Sequence, residues 1–218
     1  MPLDIIVVGP PGAGKGTQAR RIAADAGIPH IATGDMLRAE MAAATDLGRQ
    51  IKPIYDRGDL VPDDFMVELI RRRLRLDDTA SGFLLDGFPR TLEQAEALDR
   101  MLVEIGRSPA IVLEFQLSDG VAEERLLRRA TEEGRVDDAA DVVRHRLSLF
   151  RAETEKVIEH YRAKGILVGV HAGRSINEVF AEIQLALEQA ASRSDSPEDG
   201  ADRPRESREV SRAGRTEP

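Results

Sequence analysis

Two kinds of hydrophobic pattern alternate along this chain. Short continuous runs of apolar, often β-branched residues are typical of buried strands, and they predict strands at 3–8, 28–32, 83–86, 110–115 and 166–170. Between these runs, apolar residues recur every three or four positions, which is typical of amphipathic helices. Strands that alternate with helices predict an α/β fold, in which a parallel five-stranded sheet is flanked by helices on both faces.

The region between the second and third strands has a different character. Segments 35–44 and 46–57 predict two short helices with weak apolar faces, which we expect to form a small mobile subdomain rather than part of the core. A turn at 58–62 leads into a further amphipathic helix. Asp63 is placed to cap the N-terminus of that helix.

The second half of the chain predicts longer helices. A helix at 118–129 is followed by a short polar link at 131–134, and then by one long helix that ends at Gly165. Ser175 and Glu178 have the spacing of a capping box, which predicts the start of the last helix.

The composition changes after Ala191. From Ser192 to the end, the sequence holds six arginines, seven acidic residues and three prolines, with a single large apolar residue, Val210. Such a segment cannot bury enough apolar surface to offset the entropy lost on ordering. We therefore expect a folded domain over residues 1–191 and a disordered tail over 192–218.

Overall composition narrows the class of protein. A chain of 218 residues suits one or two domains, and a net charge of −8 argues against general nucleic-acid binding. The absence of cysteine excludes disulfides and thiolate metal sites. The apolar runs are too short to span a bilayer, and the N-terminus lacks the pattern of a secretory signal. These features predict a cytoplasmic enzyme without nucleic-acid or membrane partners.

A glycine-rich stretch at residues 9–17 follows the first predicted strand and precedes a helix. Glycines allow backbone N–H groups to approach an oxyanion closely, and the positive end of the helix dipole favours negative charge there. Lys15 would lie against the terminal phosphates of a nucleotide. The spacing is that of a P-loop, except that Gly16 takes the usual Ser/Thr position and Thr17 follows it. The sequence therefore predicts a nucleotide phosphate site.

Two further signals point to phosphoryl transfer. Asp86 ends a strand predicted to lie beside the first one, which is the position of an acidic residue that holds Mg²⁺ directly or through its waters. Guanidinium groups bind phosphate in a bidentate manner, and cations aimed at the phosphoryl oxygens carry most of the catalysis. Several arginines lie in turns and helix ends that should converge on the same edge of the sheet: Arg38, Arg90, Arg129, Arg135 and Arg146.

Four motifs in the same order make the chain resemble the adenylate kinases. They are Gly-Pro-Pro-Gly-Ala-Gly-Lys-Gly-Thr at 9–17, Thr-Gly-Asp-Met-Leu-Arg at 33–38, Asp-Gly-Phe-Pro-Arg at 86–90 and Gly-Arg-Val-Asp-Asp at 134–138. The Lys-Gly-Thr ending, unusual for P-loops in general, is usual in this family. The resemblance runs from about Leu3 to about Leu187.

The resemblance implies a set of site residues. The ATP-binding residues would be Gly12, Ala13, Gly14, Lys15, Gly16, Thr17, Arg125 and Arg129, with the backbone near Arg174 beside the adenine. The AMP-binding residues would be Thr33, Arg38, Asp59, Leu60, Val61, Gly87, Phe88, Pro89, Arg90, Gln94, Arg135 and Arg146. The catalytic residues would be Lys15, Arg90, Arg129, Arg135 and Arg146. Asp137 and Asp138 would position the lid, and none of the four histidines falls on a catalytic position.

The resemblance also implies an arrangement of segments. Residues 32–61 would form the helical subdomain that binds the nucleoside monophosphate, and residues 129–137 would form the lid. Only five residues separate Arg129 from Arg135, which is similar to the short-lid members of the family. Zinc, which some long-lid members bind through cysteine, is not expected, and the protein is expected to be a monomer.

The expected reaction is reversible phosphoryl transfer from ATP to AMP with Mg²⁺, giving two ADP. A UMP/CMP kinase on the same fold is the nearest alternative, although pyrimidine-specific relatives usually have Ala and Asn where this chain has Thr33 and Gln94. Gln94 also lies three residues after Thr91, so a helix-capping role can coexist with base recognition. A nucleotide-binding switch protein is a more distant alternative, and it would need neither a second nucleotide pocket nor converging arginines.

Overall fold

The computed structural model of the protein describes residues 2–133 and 139–194. The expectations for Arg135, for Asp137 and Asp138, and for the tail beyond Ser194 lie outside these residues.

A parallel sheet of five strands organises the described part of the chain. The strands are β1 (Leu3–Val8), β2 (His30–Ala32), β3 (Gly82–Asp86), β4 (Ile111–Gln116) and β5 (Leu167–His171). Their order across the sheet is β2-β3-β1-β4-β5, and every neighbouring pair is parallel. The predicted α/β class and parallel five-stranded sheet are confirmed. Because all strands point the same way, their carboxyl ends form one edge, where open sheets of this kind bind ligands.

Helices connect the strands and cover both faces of the sheet. They are α1 (Lys15–Ala26), α2 (Thr33–Ala42), α3 (Asp46–Asp56), α4 (Asp63–Leu74), α5 (Leu92–Glu104), α6 (Asp119–Glu133), α7 (Ala140–Leu149), α8 (Glu155–Ala163) and α9 (Ile176–Ser194). Among these described helices, none is long and apolar enough to cross a membrane.

Side chains on successive strand residues separate the core into two layers. In β1, Ile6 and Val8 enter one apolar cluster, whereas Ile5 and Val7 enter the other. This alternation is the period-2 geometry of a strand, and burial on both faces explains why β1 is apolar throughout its second half. The first cluster also contains Ile70, Leu98 and Tyr161 from α4, α5 and α8, and the second contains Ile22 and Ile183 from α1 and α9.

The expectation that α2 and α3 stand apart from the core is wrong. Leu37 of α2 and Ile51 of α3 are buried in the same cluster as Phe88 and Ile70. Each helix offers few apolar residues, so the apolar face looks weak in the sequence. Most of them nevertheless pack against this cluster, including Met36, Met41 and Leu47, because both helices lie against the main body of the protein.

Three helix boundaries differ from the predictions. The polar residues 131–133 continue α6, where Arg128 and Glu132 pair one turn apart at 3.8 Å, so the predicted link is helical up to Glu133. The predicted long helix contains a π-helical segment, Phe150–Thr154, between α7 and α8. The last helix continues to Ser194, past the predicted start of the tail.

The capping box at the last helix is confirmed. The Glu178 N–H donates to the Ser175 hydroxyl over 3.4 Å, and the Ser175 N–H donates to the Glu178 carboxylate over 3.1 Å. These reciprocal bonds satisfy backbone donors that the first turn of a helix leaves without partners.

A buried ion pair fastens the amino end of β1. The Asp4 side chain is 1% exposed and pairs with Arg107, whose Nε donates to Asp4 Oδ2 over 2.8 Å and whose second guanidinium nitrogen donates to Oδ1. Arg107 Nη1 also donates to the Thr79 carbonyl over 2.9 Å. Burial raises the pKa of Asp4, and the hydrogen bonds and charge of Arg107 oppose that rise. The pair therefore joins three separate segments of the chain at one point.

We predict that Arg107→Ala lowers the free energy of unfolding by about 3–5 kcal/mol, because it leaves a buried carboxylate without its partner. The deficit should shrink as the pH falls, since protonation removes the unpaired charge and burial already favours the protonated form of Asp4. Urea unfolding at several pH values measures both effects.

Two further variants serve as controls for this prediction. Replacing both partners with apolar residues, Asp4→Leu with Arg107→Met, should cost far less than Arg107→Ala alone. Arg71→Ala, which breaks only an exposed pair with Glu104, should cost no more than about 1 kcal/mol. A loss for Arg107→Ala as small as that for Arg71→Ala would contradict the assigned role of the pair.

Candidate active site

The glycine-rich loop lies between β1 and α1, at the carboxyl edge of the sheet. Gly9 has φ 143°, and a Cβ there would lie 2.6 Å from the Phe115 carbonyl oxygen. Gly12 has φ 83°, and a Cβ there would lie 2.6 Å from the Ala122 carbonyl oxygen. These positions need glycine for both their backbone conformation and their close packing. The loop is thereby fixed against β4 and α6, and its N–H groups are held near the start of α1.

Lys15, the first residue of α1, turns back over the loop. Its Nζ donates to the carbonyl oxygens of Gly9 and Pro10 over 2.7 and 2.8 Å. Burial lowers the pKa of Lys15 to about 8, Asp86 opposes this shift, and the charges of Arg90, Arg146 and Arg129 add to it. An added anion would therefore be strongly favoured beside this ammonium group.

Asp86 lies where β3 ends, next to the start of the loop. The register pairs it with Val7 of β1, and its carboxylate is 3.3 Å from the position a Cβ would take on Gly16. Burial opposes ionisation of Asp86, but a hydrogen bond with His30 and the charges of Lys15 and Arg90 outweigh it, and the pKa is lowered. Asp86 is thus an anionic group directly beside the phosphate loop.

His30 was not expected at the site, but it lies in contact with Asp86. Its Nε2 is 3.3 Å from Asp86 Oδ2, and each side chain is 15% exposed. His30 is the first residue of β2, and β2 pairs with β3, which ends at Asp86. The strand pairing therefore brings the side chains of His30 and Asp86 together. The contact between His30 and Asp86 could have been predicted from the strand pairing, because a residue on the strand next to β3 would be near Asp86.

A cavity of about 460 Å³ extends from the loop along the edge of the sheet. Its lining includes the loop, Asp86 and His30. The cavity also brings together the predicted catalytic and binding arginines that lie within the described residues. They are Arg38, Arg90, Arg125, Arg129 and Arg146. With Arg20 and Arg128, seven guanidinium groups line this cavity and form a strongly electropositive site for polyanions.

Arg90 is positioned by three separate segments. Its Nε donates to the Gly87 carbonyl over 2.8 Å, and its backbone N–H donates to the Gln94 side-chain oxygen over 2.8 Å. The Thr154 hydroxyl, in the π-helical segment, donates to the Arg90 carbonyl over 3.0 Å. Burial lowers the pKa of Arg90, and the charge of Arg146 adds to that shift. The side chain is therefore held in place without a carboxylate partner in these hydrogen bonds.

A narrower cavity is also lined by Arg90. It has a volume of about 30 Å³. Most of its lining comes from residues 32–61, called the acceptor segment below, and the rest comes from α4, the turn after β3 and α5: Thr33, Leu37, Tyr55, Asp59, Leu60, Val61, Met66, Gly87, Arg90 and Gln94. Thr33 is buried, and its hydroxyl donates to the Asp86 carbonyl over 3.2 Å. Six of the residues expected to bind AMP therefore surround this cavity together with Arg90.

Gln94 belongs to a buried hydrogen-bond network. Its side-chain Nε2 donates to Asp63 Oδ1 over 2.7 Å, and the Thr91 hydroxyl donates to Asp63 Oδ2 over 2.8 Å. Thr91 caps α5 by accepting from the Gln94 N–H over 3.2 Å, but the Gln94 side chain bonds to the Arg90 N–H and not to that of Thr91. A carboxamide has two donor hydrogens and two acceptor lone pairs. The Gln94 side chain can therefore keep its bonds to Arg90 and Asp63 and still form one further hydrogen bond from each of its polar atoms.

Asp63 does not cap α4, which corrects the sequence-based expectation. Pro62 occupies the N-cap position without a side-chain hydrogen bond, and the Asp63 carboxylate reaches across to α5. The Asp63 carboxylate instead accepts hydrogen bonds from Thr91 and Gln94, at the start of α5.

Four of the expected binding residues that the structure describes line neither of the two cavities above, and Pro89 is one of them. Phe88 is fully buried in the core cluster, Ala13 is buried beneath the loop, and the exposed Arg174 side chain lies 3.6 Å from Glu182. Arg125 does line the main cavity, and its Nη1 donates to the Ala172 carbonyl over 3.0 Å. Among the described residues, no group of three or more His, Cys, Asp or Glu side chains is arranged to hold a metal ion.

The acceptor segment also contacts α7. His145 Nε2 lies 2.7 Å from Asp59 Oδ1, and a Cβ on Gly58 would lie 2.7 Å from a Val142 methyl carbon and 2.9 Å from Arg146 Cγ. Gly58 has φ 77°, so this turn also depends on glycine. These contacts place Arg146 directly beside the segment, and the sequence alone gave no sign of them.

Comparison with known proteins agrees with the motifs and the fold. Residues 7–166 match the family model described as adenylate kinase. A protein named adenylate kinase from Thermus thermophilus is 47% identical over 183 residues, which cover 84% of this chain and 96% of that protein. One from Stenotrophomonas maltophilia is 42% identical over 185 residues, covering 85% and 99%, and one from Thermobifida fusca is 43% identical over 189 residues, covering 87% and 100%.

The family model covers most of the folded part of the chain, and the relatives align over nearly their whole length. The phosphate loop, Asp86 and the arginine-lined cavity occupy one edge of the parallel sheet. This chain belongs to the adenylate kinase family, whose members transfer a phosphoryl group from ATP to AMP.

Proposed function

We propose that the described cavities are the two nucleotide sites of an ATP:AMP phosphotransferase, and that phosphoryl transfer takes place between Lys15 and Arg90. The observation that carries this proposal is that Arg90 lines both the main cavity and the narrower one. A donor bound at the loop and an acceptor bound beside Gln94 would therefore meet at the same guanidinium group.

On the donor side, the loop from Gly12 to Thr17 binds the ATP phosphates. Its backbone N–H groups and the dipole of α1 favour the anion, and Lys15 lies against the terminal phosphates. Arg125 and Arg129 bind ATP from α6, and the backbone near Arg174 lies beside the adenine. The bond between Arg125 and the Ala172 carbonyl supports this arrangement, since it joins α6 to the turn that follows β5.

On the acceptor side, Arg38 and Arg90 bind the AMP phosphate, and Thr33 and Gln94 lie at the base. The narrower cavity has room for about two water molecules. Admission of an adenine ring therefore requires the segment 32–61 to move away from the core, and its return would cover the acceptor.

The reaction needs positioning and charge rather than covalent chemistry from the protein. The acceptor phosphate oxygen attacks the terminal phosphorus of ATP, and the bond from that phosphorus to the bridging oxygen breaks. Lys15, Arg90 and Arg146 stabilise the negative charge on the transferred group, and Arg129 and Arg135 complete the set. Closure of the segment 32–61 and of the lid at 129–137 excludes water, which would otherwise compete as the acceptor.

The surroundings of Asp86 fit a magnesium ion that is bound mainly by the phosphates of the substrate. Mg²⁺ usually keeps several waters and uses one or two carboxylates with substrate phosphates. Asp86 offers one anionic carboxylate beside the loop, in keeping with a site of that kind rather than an all-protein cage. We propose that Asp86 holds Mg²⁺ through its waters, and bound Mg²⁺ would supply neutralisation of phosphate charge.

Two alternatives are less well supported. A nucleotide-binding switch protein does not need a second cavity that shares an arginine with the first. A UMP/CMP kinase would share the two cavities, and it is disfavoured by Thr33 and Gln94 at the base position. We further propose a cytoplasmic monomer, in which the folded domain extends to the end of α9 at Ser194 and the remaining residues form the tail.

The experiment that tests the function measures ADP formation from ATP with AMP, UMP, CMP or GMP as acceptor. We expect AMP to have the highest kcat/KM and ATP alone to be hydrolysed slowly. A preference for UMP or CMP would overturn the acceptor assignment, and turnover that does not depend on any acceptor would overturn the kinase assignment.

We predict that Lys15→Ala lowers kcat by at least about 100-fold, which is the effect of losing one preorganised donor to the transition state. Arg90→Lys should also be costly, because a point charge cannot reproduce a bidentate contact. Lys156→Ala is the matched control, since Lys156 is exposed, pairs with Glu153 and lines neither cavity. Near-normal kcat in either site variant would refute the role assigned to that residue.

We predict that Gln94→Leu lowers kcat/KM for AMP by about 1–3 kcal/mol, the scale of a two-point contact with adenine, while the KM for ATP changes little. Steady-state kinetics with AMP and CMP test this, with Gln184→Leu on α9, whose side chain bonds to Asp25 and lines neither cavity, as the control. The preference for AMP over CMP should shrink. Equal losses with both acceptors would show that Gln94 acts only through its bonds to Arg90 and Asp63.

A further inference from the structure

Arg38 is held on three sides by groups of the acceptor segment. Its Nη1 donates to the Tyr55 hydroxyl over 2.6 Å, and its Nη2 donates to the Asp35 carboxylate. A Cβ on Gly34 would lie 3.2 Å from Nη1, so the guanidinium group lies close over the backbone at the start of α2. Asp35 and Gly34 belong to α2 itself, whereas Tyr55 reaches Arg38 from α3.

Tyr55 lies at the boundary between the two cavities. It lines the main cavity together with Arg38 and Arg90, and it lines the narrower one together with Thr33 and Gln94. Its ring packs against the core cluster that contains Leu37 and Ile51. The position of the hydroxyl is therefore set by packing of the ring, which makes it a rigid partner for Arg38.

The two partners of Arg38 differ in what they would do when a phosphate binds. The Asp35 carboxylate is anionic and would repel an incoming phosphate at close range. The Tyr55 hydroxyl is neutral, so it can keep its hydrogen bond while phosphate oxygens take the place of Asp35. Because the guanidinium fork is planar, fixing one Nη1 hydrogen also fixes the plane in which the remaining donors point.

We infer that Tyr55 is a positioning residue for the acceptor, which orients the Arg38 guanidinium group to grip the phosphate of AMP. The inference rests on the proposed acceptor site. Tyr55 acts through Arg38 and not on the nucleoside, so its contribution depends on the phosphate group of the ligand.

The first test is Tyr55→Phe, which removes the hydroxyl and keeps the packed ring. The KM for AMP and its dissociation constant should rise about 3- to 10-fold, the range for loss of one hydrogen bond, while kcat and the KM for ATP stay within about 2-fold. Binding of adenosine, which lacks the phosphate, should be unchanged. Tyr161→Phe is the matched control, since Tyr161 lies in α8 and packs in the core.

A double-mutant cycle with Arg38→Lys is the second test. Once the planar fork is gone, adding Tyr55→Phe should change AMP affinity by less than about 2-fold. Equal weakening of AMP and adenosine, an unchanged affinity for AMP, or full additivity in the cycle would each overturn the inference. If the wild-type protein itself failed to use AMP, the proposed function would fail first, so the two failures are distinguishable.

Discussion

Crowding of positive charge around one cavity is the constraint on which the site depends. Lys15 and Arg90 are partly buried, and burial together with mutual repulsion lowers the pKa of each. Asp86 is the carboxylate whose charge opposes these effects at both groups. The cavity lining carries more positive than negative side chains, which favours the binding of a polyanion. The cations repel one another in the folded protein, and a bound phosphate would relieve this repulsion, which contributes to phosphate affinity.

The way in which these cations are anchored preserves their charge for the ligand. Lys15 donates to the carbonyls of Gly9 and Pro10, Arg90 to that of Gly87, and Arg125 to that of Ala172. A carbonyl directs a cation without cancelling its net charge, whereas a carboxylate would compete with a phosphate. Arg38 shows the contrast, because one of its partners is the carboxylate of Asp35. The backbone carbonyls in the turns after the strands therefore orient the side chains of Lys15, Arg90 and Arg125.

The parts of the fold that could be predicted from the sequence are those that local rules determine. The apolar runs located the strands, and the spacing of Gly9, Gly14 and Lys15 located the phosphate loop, because strand burial and tight turns restrict which residues can occur. The capping box at Ser175 followed from two residues three apart. Each of these signals lies within a few neighbouring residues.

The parts that could not be predicted depend on contacts between distant segments. Asp63 resembles a helix cap in the sequence, yet its carboxylate bonds to Thr91 and Gln94 on another helix. His30 meets Asp86 because their strands pair, and Phe88 is buried in the core although Gly87 and Arg90 line the main cavity. The identity of a residue states what it can bond to, but packing decides which partner is within reach.

The two ends of β1 carry separate properties of the molecule. Asp4 and its partner Arg107 lie near the amino end, and the phosphate loop begins just after the carboxyl end. A strand of this length spans about 20 Å, and substitutions that far apart usually have additive effects on free energy. Substitutions at the two ends of this strand should therefore have additive effects, one on stability and the other on the phosphate site.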